Sequence, residues 1–64
     1  MMNKRKSYQL EIETNGEVWF TKSAIYTLKE AKYFFEREAL DELAENSTVR
    51  IIDNSGEVIF TKSN

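Results

Sequence analysis

The sequence predicts an α+β fold in ββαββ order: two β-hairpins joined by one helix that packs on one face of a four-stranded sheet. Three observations predict it. Short runs on either side of the chain alternate apolar and polar residues, as half-buried strands do. One segment occurs almost twice: residues 16–23 read GEVWFTKS and residues 56–63 read GEVIFTKS, with seven of eight positions identical at an offset of 40. Between the two copies lies a stretch with helical apolar spacing and no Gly or Pro. Two copies are too few for a solenoid, so a short internal duplication is the better account.

The first strand is read over residues 7–14. Tyr8, Leu10 and Ile12 alternate with Gln9, Glu11 and Glu13, which gives one buried and one wet face. The second strand is read over 17–22, where Val18, Trp19 and Phe20 are all apolar and blur the alternation. A two-residue Asn15-Gly16 turn would set Ile12 opposite Trp19 and Glu11 opposite Phe20, mixing apolar and charged residues on one face. A three-residue loop of Thr14, Asn15 and Gly16, with Gly16 in a left-handed bulge, shifts the pairing by one. Ile12 then faces Val18 and Leu10 faces Phe20, so Tyr8, Leu10, Ile12, Val18 and Phe20 line the core and Trp19 points outward.

The second hairpin is read over 48–53 and 57–62. A four-residue loop over 53–56 pairs Ile51 with Val58 and Val49 with Phe60. A two-residue Ser55-Gly56 turn keeps the same four on one face. Either way Ile52 and Ile59 point to the other side. The repeat holds in the outgoing strand and slips in the incoming one.

The helix is read over 27–45, about 19 residues or roughly 28 Å. Thr27 and Glu30 have capping-box spacing. Leu28, Ala31, Phe35, Ala39 and Leu43 share one face and should lie on the sheet. Tyr33, Leu40 and Ala44 make a second, narrower apolar stripe. Glu36, Glu38, Asp41, Glu42 and Glu45 interleave with Lys29, Lys32 and Arg37, the pattern of a solvated face with pairs such as Arg37 with Asp41. The order of the strands stays open: the strand read over 48–53 can run parallel beside the second strand or antiparallel beside the first.

A sheet with one helix has one covered face. On this reading the other carries Gln9, Glu11, Glu13, Thr21, Arg50 and Thr61, together with Trp19, Ile52 and Ile59. The last three form a candidate interface, since an apolar patch with a charged rim marks association and Trp is a favoured anchor. Tyr33, Leu40 and Ala44 are the second candidate. The two unpaired sheet edges are a further route.

Composition narrows the chemistry. The 64 residues include no Cys, no His and no Pro. A disulfide, a thiolate or imidazole zinc site, a Ser-His-Asp triad and a His general base are all excluded. Two glycines, Gly16 and Gly56, cannot form a phosphate-cradling loop. No cofactor is expected, and the chain is too small to enclose a pocket of usual enzyme size. A core this small commonly needs a staple, and with a disulfide and a Cys or His zinc site excluded, association or very efficient packing is what remains.

Residues 1–6 are read as a basic flexible arm and 7–64 as a single domain. Lys4, Arg5 and Lys6 are candidate phosphate contacts, although a net charge of -2 gives no global attraction to nucleic acid. No apolar run reaches membrane-spanning length and no hydrophobic segment follows the basic start, so a cytoplasmic protein without membrane contact is expected. The reading is a non-enzymatic homodimeric module that binds another protein. A concrete form is an inhibitor encoded by a phage or mobile element and docking on a host defence enzyme. The alternative is a small nucleic-acid-associated regulator that uses the basic arm.

Overall fold

The computed structural model describes residues 6–40 and 43–64. Four strands and one helix follow in the expected order: β1 (Tyr8–Thr14), β2 (Glu17–Ile25), α1 (Leu28–Leu40), β3 (Ser47–Asp53) and β4 (Val58–Ser63). The strands form one antiparallel sheet in the order β2-β1-β3-β4. The two hairpins therefore meet through their incoming strands, which resolves the open question of strand order. β1 and β3 pair without interruption from Tyr8↔Asp53 to Thr14↔Ser47. Outgoing strands β2 and β4 are the edges.

Alternation along β1 and β3 sorts the two faces. Tyr8, Leu10, Ile12, Val49 and Ile51 are buried toward the helix, and they join Ile25, Ala31 and Ala39 in the core. Each large aliphatic side chain so buried contributes about 1.5–3 kcal/mol. Phe35 stacks on Phe60 at 5.4 Å and closes the β4 side of this core.

The first turn departs from the expected register. Asn15 and Gly16 both have positive φ, 54° and 86°, and Thr14 pairs with Glu17. This is the two-residue hairpin whose twist suits flanking strands. The separation of faces comes from a bulge inside β2 instead. Glu13 pairs with Val18 but Ile12 pairs with Phe20, so Trp19 is the inserted residue. The expected pairs Ile12 with Val18 and Leu10 with Phe20 are thus replaced by Ile12 with Phe20 and Leu10 with Lys22. Val18 moves to the outer face beside Glu13.

The second hairpin repeats the device. Ile52 pairs with Val58 and Ile51 with Phe60, leaving Ile59 as the inserted residue. The expected pairs Ile51 with Val58 and Val49 with Phe60 are likewise replaced, the latter by Val49 with Lys62. Val58 is therefore outward, and Ile59 packs against the core. The duplicated octapeptide carries the same bulge at its one variable position. Asp53 organises this loop: its Oδ1 accepts from Ser55 Oγ (2.7 Å), Ser55 N (2.9 Å) and Glu57 N (2.9 Å). Gly56 follows with a φ of 90°.

β2 runs past its expected end. Ala24 takes a φ of 61°, a costly conformation for a residue with a Cβ, and the kink turns Ile25 into the core opposite Tyr8. Ile25 is only 1% exposed, yet it fell outside the expected strand.

α1 starts as the capping signature implies. Thr27 Oγ1 accepts from Glu30 N (3.1 Å), and Ala31 N donates to Thr27 O (3.0 Å). The Glu30 carboxylate reaches back past the cap to Tyr26 N (3.4 Å). The helix has 13 residues, about 20 Å, and Leu43 and Ala44 are not helical. The expected span to residue 45 is thus too long. Ser47 N donates to Ala44 O, and Asn46, with a φ of 62°, turns the chain into β3. Leu28, expected on the sheet face, is half exposed. The Arg37–Asp41 pair lies outside the described residues.

Two predictions follow from the turns. Gly16→Ala should cost about 1–2 kcal/mol in urea denaturation, because a Cβ there meets no neighbouring atom and only the positive φ penalises it. A neutral result would show that the turn is not left-handed. The second concerns acid. Ser55 and then Glu57, helped by Lys6, hold the Asp53 carboxyl below its ordinary 3.8, against the effect of burial. Its contribution is therefore full above about pH 4 and is lost as pH falls through the lowered folded value. Asp53→Asn should lower stability at neutral pH and flatten the acid limb of the stability–pH curve; an unchanged limb would remove Asp53 as its cause.

Candidate protein-interaction surface

The outer face of the sheet carries Val18 at one end and Ile52 with Val58 at the other, separated by a charged centre. At its centre Arg50 lies between two carboxylates of β1. Its guanidinium donates to Glu11 Oε1 at 3.0 Å and to Glu13 Oε1, and the three side chains are each mostly buried by one another and their neighbours. Hydrogen bonds from Arg50 to Glu13 and then to Glu11 hold the guanidinium charged above its usual range. Thr21, Thr48, Thr61 and Ser63 extend the polar surface. Of the three residues expected to form an outer apolar patch, only Ile52 is there, opposite Val58. The bulges turn Trp19 and Ile59 to the helix side.

Trp19 shows how this works. Its indole N–H donates to Thr14 Oγ1 (2.8 Å), and that hydroxyl shares a hydrogen bond with Ser47 Oγ (2.6 Å), a buried group at the end of β3. The ring lies 6.1 Å from Phe20. Trp19 is nevertheless 63% exposed, because α1 packs chiefly on β1, β3 and β4. Only Ile25 of β2 is buried. The helix side of this edge strand is left open.

Between β2 and α1 runs a groove of about 230 Å³. Leu10 forms its floor, Phe20 and Phe34 its walls, and Lys22, Arg37 and Glu38 its polar rim. The Lys22 ammonium sits 4.8 Å from the centroid of the Phe34 ring, a cation–π contact that leans the lysine stem over the groove. Phe34 meets Tyr33 edge-on at 5.2 Å. Tyr33 and Leu40, two helical turns apart, stand on the back of α1 at 59% and 70% exposure. The apolar surface therefore runs from Trp19 and Phe20 on β2, across the groove to Phe34, and on to Tyr33 and Leu40.

The sequence located half of this surface. Tyr33 and Leu40 are exposed as expected, while Ala44 is exposed but lies beyond the helix. Trp19 is exposed but on the opposite face, and Phe20, expected in the core, is 39% exposed. Phe20 and Tyr26 thus join Trp19 and Tyr33 as exposed aromatics. The missed signal is the run Val-Trp-Phe, matched by Val-Ile-Phe in the second copy: a strand sets two adjacent apolar residues, Trp19 and Phe20 or Ile59 and Phe60, on one side by bulging.

The basic arm contributes little that is described. Lys4 and Arg5 lie outside the described residues, and the Lys6 ammonium lies 3.9 Å from Asp53 Oδ2. A second depression of about 240 Å³ opens beside Tyr8, Ala24, Tyr26 and Asp53. The Asp53 carboxylate there is taken up by its own loop. Among the described residues, no group of three Asp and Glu side chains is placed to hold a metal ion, and no helix is long and apolar enough to cross a membrane. No protein-family model, curated protein or solved structure matches this chain.

Trp19→Ile, which installs the residue of the second copy, should change monomer stability by no more than about 1 kcal/mol, since the lost indole bond is exposed. Urea denaturation followed by circular dichroism checks this. A loss of several kcal/mol would mean that Trp19 is a packing residue and not a presented one.

Proposed function

We propose that this chain is a non-enzymatic protein-binding module that forms a homodimer through β2 and the adjoining flank of α1. The observation that carries the reading is the bare helix side of β2, where Trp19 and Phe20 stand beside an apolar groove that α1 leaves open. Trp and Tyr are the residue types that most often anchor protein interfaces.

Three arguments favour a second copy as the occupant. Trp19, Phe20, Tyr33 and Leu40 together expose roughly 500 Å², over half of the ~800 Å² that each side of a standard interface contributes. The surface also pairs a ridge, Tyr33 and Leu40, with a flat strand, Trp19 and Phe20. A two-fold axis along the groove lays the ridge of one protomer on the strand of the other, the self-complementarity that an isologous contact needs. Finally, the core has eight buried apolar residues among those described, two of them alanines, so it is small enough for association to matter.

The absence of Cys and His supports a non-catalytic role. The wider reading, an inhibitor from a phage or mobile element that occludes a host protein, draws on small size and composition. Nucleic acid is less well supported: Lys22 and Arg37 on the rim are offset by Glu38, and Lys6 is drawn to Asp53.

Sedimentation velocity tests the dimer. The wild-type chain should approach twice its 7.5 kDa at high micromolar concentration. Trp19→Ser and Leu40→Ser should each weaken association about tenfold or more, as loss of an interface anchor does. A wild-type chain that stays at 7.5 kDa at millimolar concentration would end the homodimer reading.

A further inference from the structure

The two hairpins are related by a local two-fold axis normal to the sheet, and its centre falls on one residue pair. Equivalent ladder positions make this explicit. Ile12 pairs with Phe20 as Ile51 pairs with Phe60. Glu11 pairs with Thr21 as Arg50 pairs with Thr61, and Leu10 pairs with Lys22 as Val49 pairs with Lys62. Leu10, Glu11 and Ile12 of β1 thus correspond to Val49, Arg50 and Ile51 of β3. In the central ladder Leu10 faces Ile51, Glu11 faces Arg50 and Ile12 faces Val49. Glu11 and Arg50 are each other's equivalents as well as each other's partners.

This symmetry creates a competitor. A β1 strand could pair with the β1 strand of a second chain about the same axis, and β3 with another β3. On the core face nothing opposes it: Leu10 against Ile12 of the other copy is as apolar as Leu10 against Ile51. The bulges at Trp19 and Ile59 are alike, so they do not discriminate either. The charges do. Pairing β1 with β1 sets Glu11 against Glu11 with both Glu13 carboxylates close by, and pairing β3 with β3 sets Arg50 against Arg50. Only β1 with β3 places Arg50 between Glu11 and Glu13, as observed at 3.0 Å from Glu11. Like charges directly opposed across a ladder are destabilising, and opposite ones stabilise.

We propose that the Glu11–Glu13–Arg50 cluster is a pairing code that selects the union of unlike hairpins over the union of like ones. It is independent of the β2–α1 face. The code also names the partner it would accept in trans: a hairpin of opposite sign from a second copy of this chain.

Charge inversion tests it in the full-length chain. Arg50→Glu makes both incoming strands anionic, and the pair Glu11→Arg with Glu13→Arg makes both cationic. Each single-sign protein should lose roughly tenfold or more in its folding equilibrium constant, read by thermal or urea denaturation. The triple variant with all three inverted should recover most of that loss. Mixing the two single-sign proteins should produce a heterodimer in excess of statistical mixing by native mass spectrometry, with each protein's β1 hairpin paired to the other's β3 hairpin, even if neither folds alone. A triple variant no more stable than the single-sign proteins, or mixing that yields no excess heterodimer, would overturn the proposal.

Discussion

The fold rests on the ladder between β1 and β3. Among the described residues it alone joins the two hairpins within the sheet, and it runs seven residue pairs without a break. Its contacts join residues some forty positions apart, so chain entropy must be surrendered before the ladder returns any stabilisation. Both sides of the ladder are committed. Toward the helix it holds Leu10, Ile12, Val49 and Ile51, which are nearly the whole aliphatic core. Away from the helix it holds Glu11, Glu13 and Arg50. α1 can cover the ladder or reach an edge, and at 13 residues it covers the ladder with β4 and leaves β2 bare.

Much of this was legible from residue pattern. β1 and β3 are clean alternations because both are central strands with one wet face, and there burial dictates every second residue. The Thr27–Glu30 cap was legible because it is a local hydrogen-bond arrangement with fixed spacing. The edge strands were less legible. A bulge needs no Gly and no particular residue, so Trp19 and Ile59 could be assigned to the wrong face by an unbroken period of two. One skipped residue exchanges the sides of everything beyond it. That is why the recurring octapeptide was visible in the sequence while its variable position, Trp19 or Ile59, was assigned to the wrong face. Ile25 escaped for a similar reason: the left-handed turn at Ala24 has no signature, since Ala is an unfavourable choice for it.

The candidate surface follows from the same misassignment. Exposure of Tyr33 and Leu40 could be read from helical spacing alone. Their union with Trp19 and Phe20 could not, because it depends on the bulge that carries Trp19 toward Thr14 and on the lateral placement of α1. The polar outer face, held by the Arg50 cluster, and the apolar flank beside β2 divide the surface between them. On the readings proposed above, one sets how the two hairpins pair and the other is the contact surface.

The edge bulges also bear on what happens when many copies meet. An edge strand with a regular row of free amides and carbonyls invites another strand, and each strand added exposes a new edge. β4 is interrupted at Ile59, and β2 is interrupted at Trp19 and again between its pairings of Lys22 and Ile25. The rows are broken into stretches too short to template a growing ribbon. A chain with this much exposed apolar surface can then associate through side chains, in a contact that closes on itself, while the route toward open-ended fibres is obstructed at both margins of its sheet.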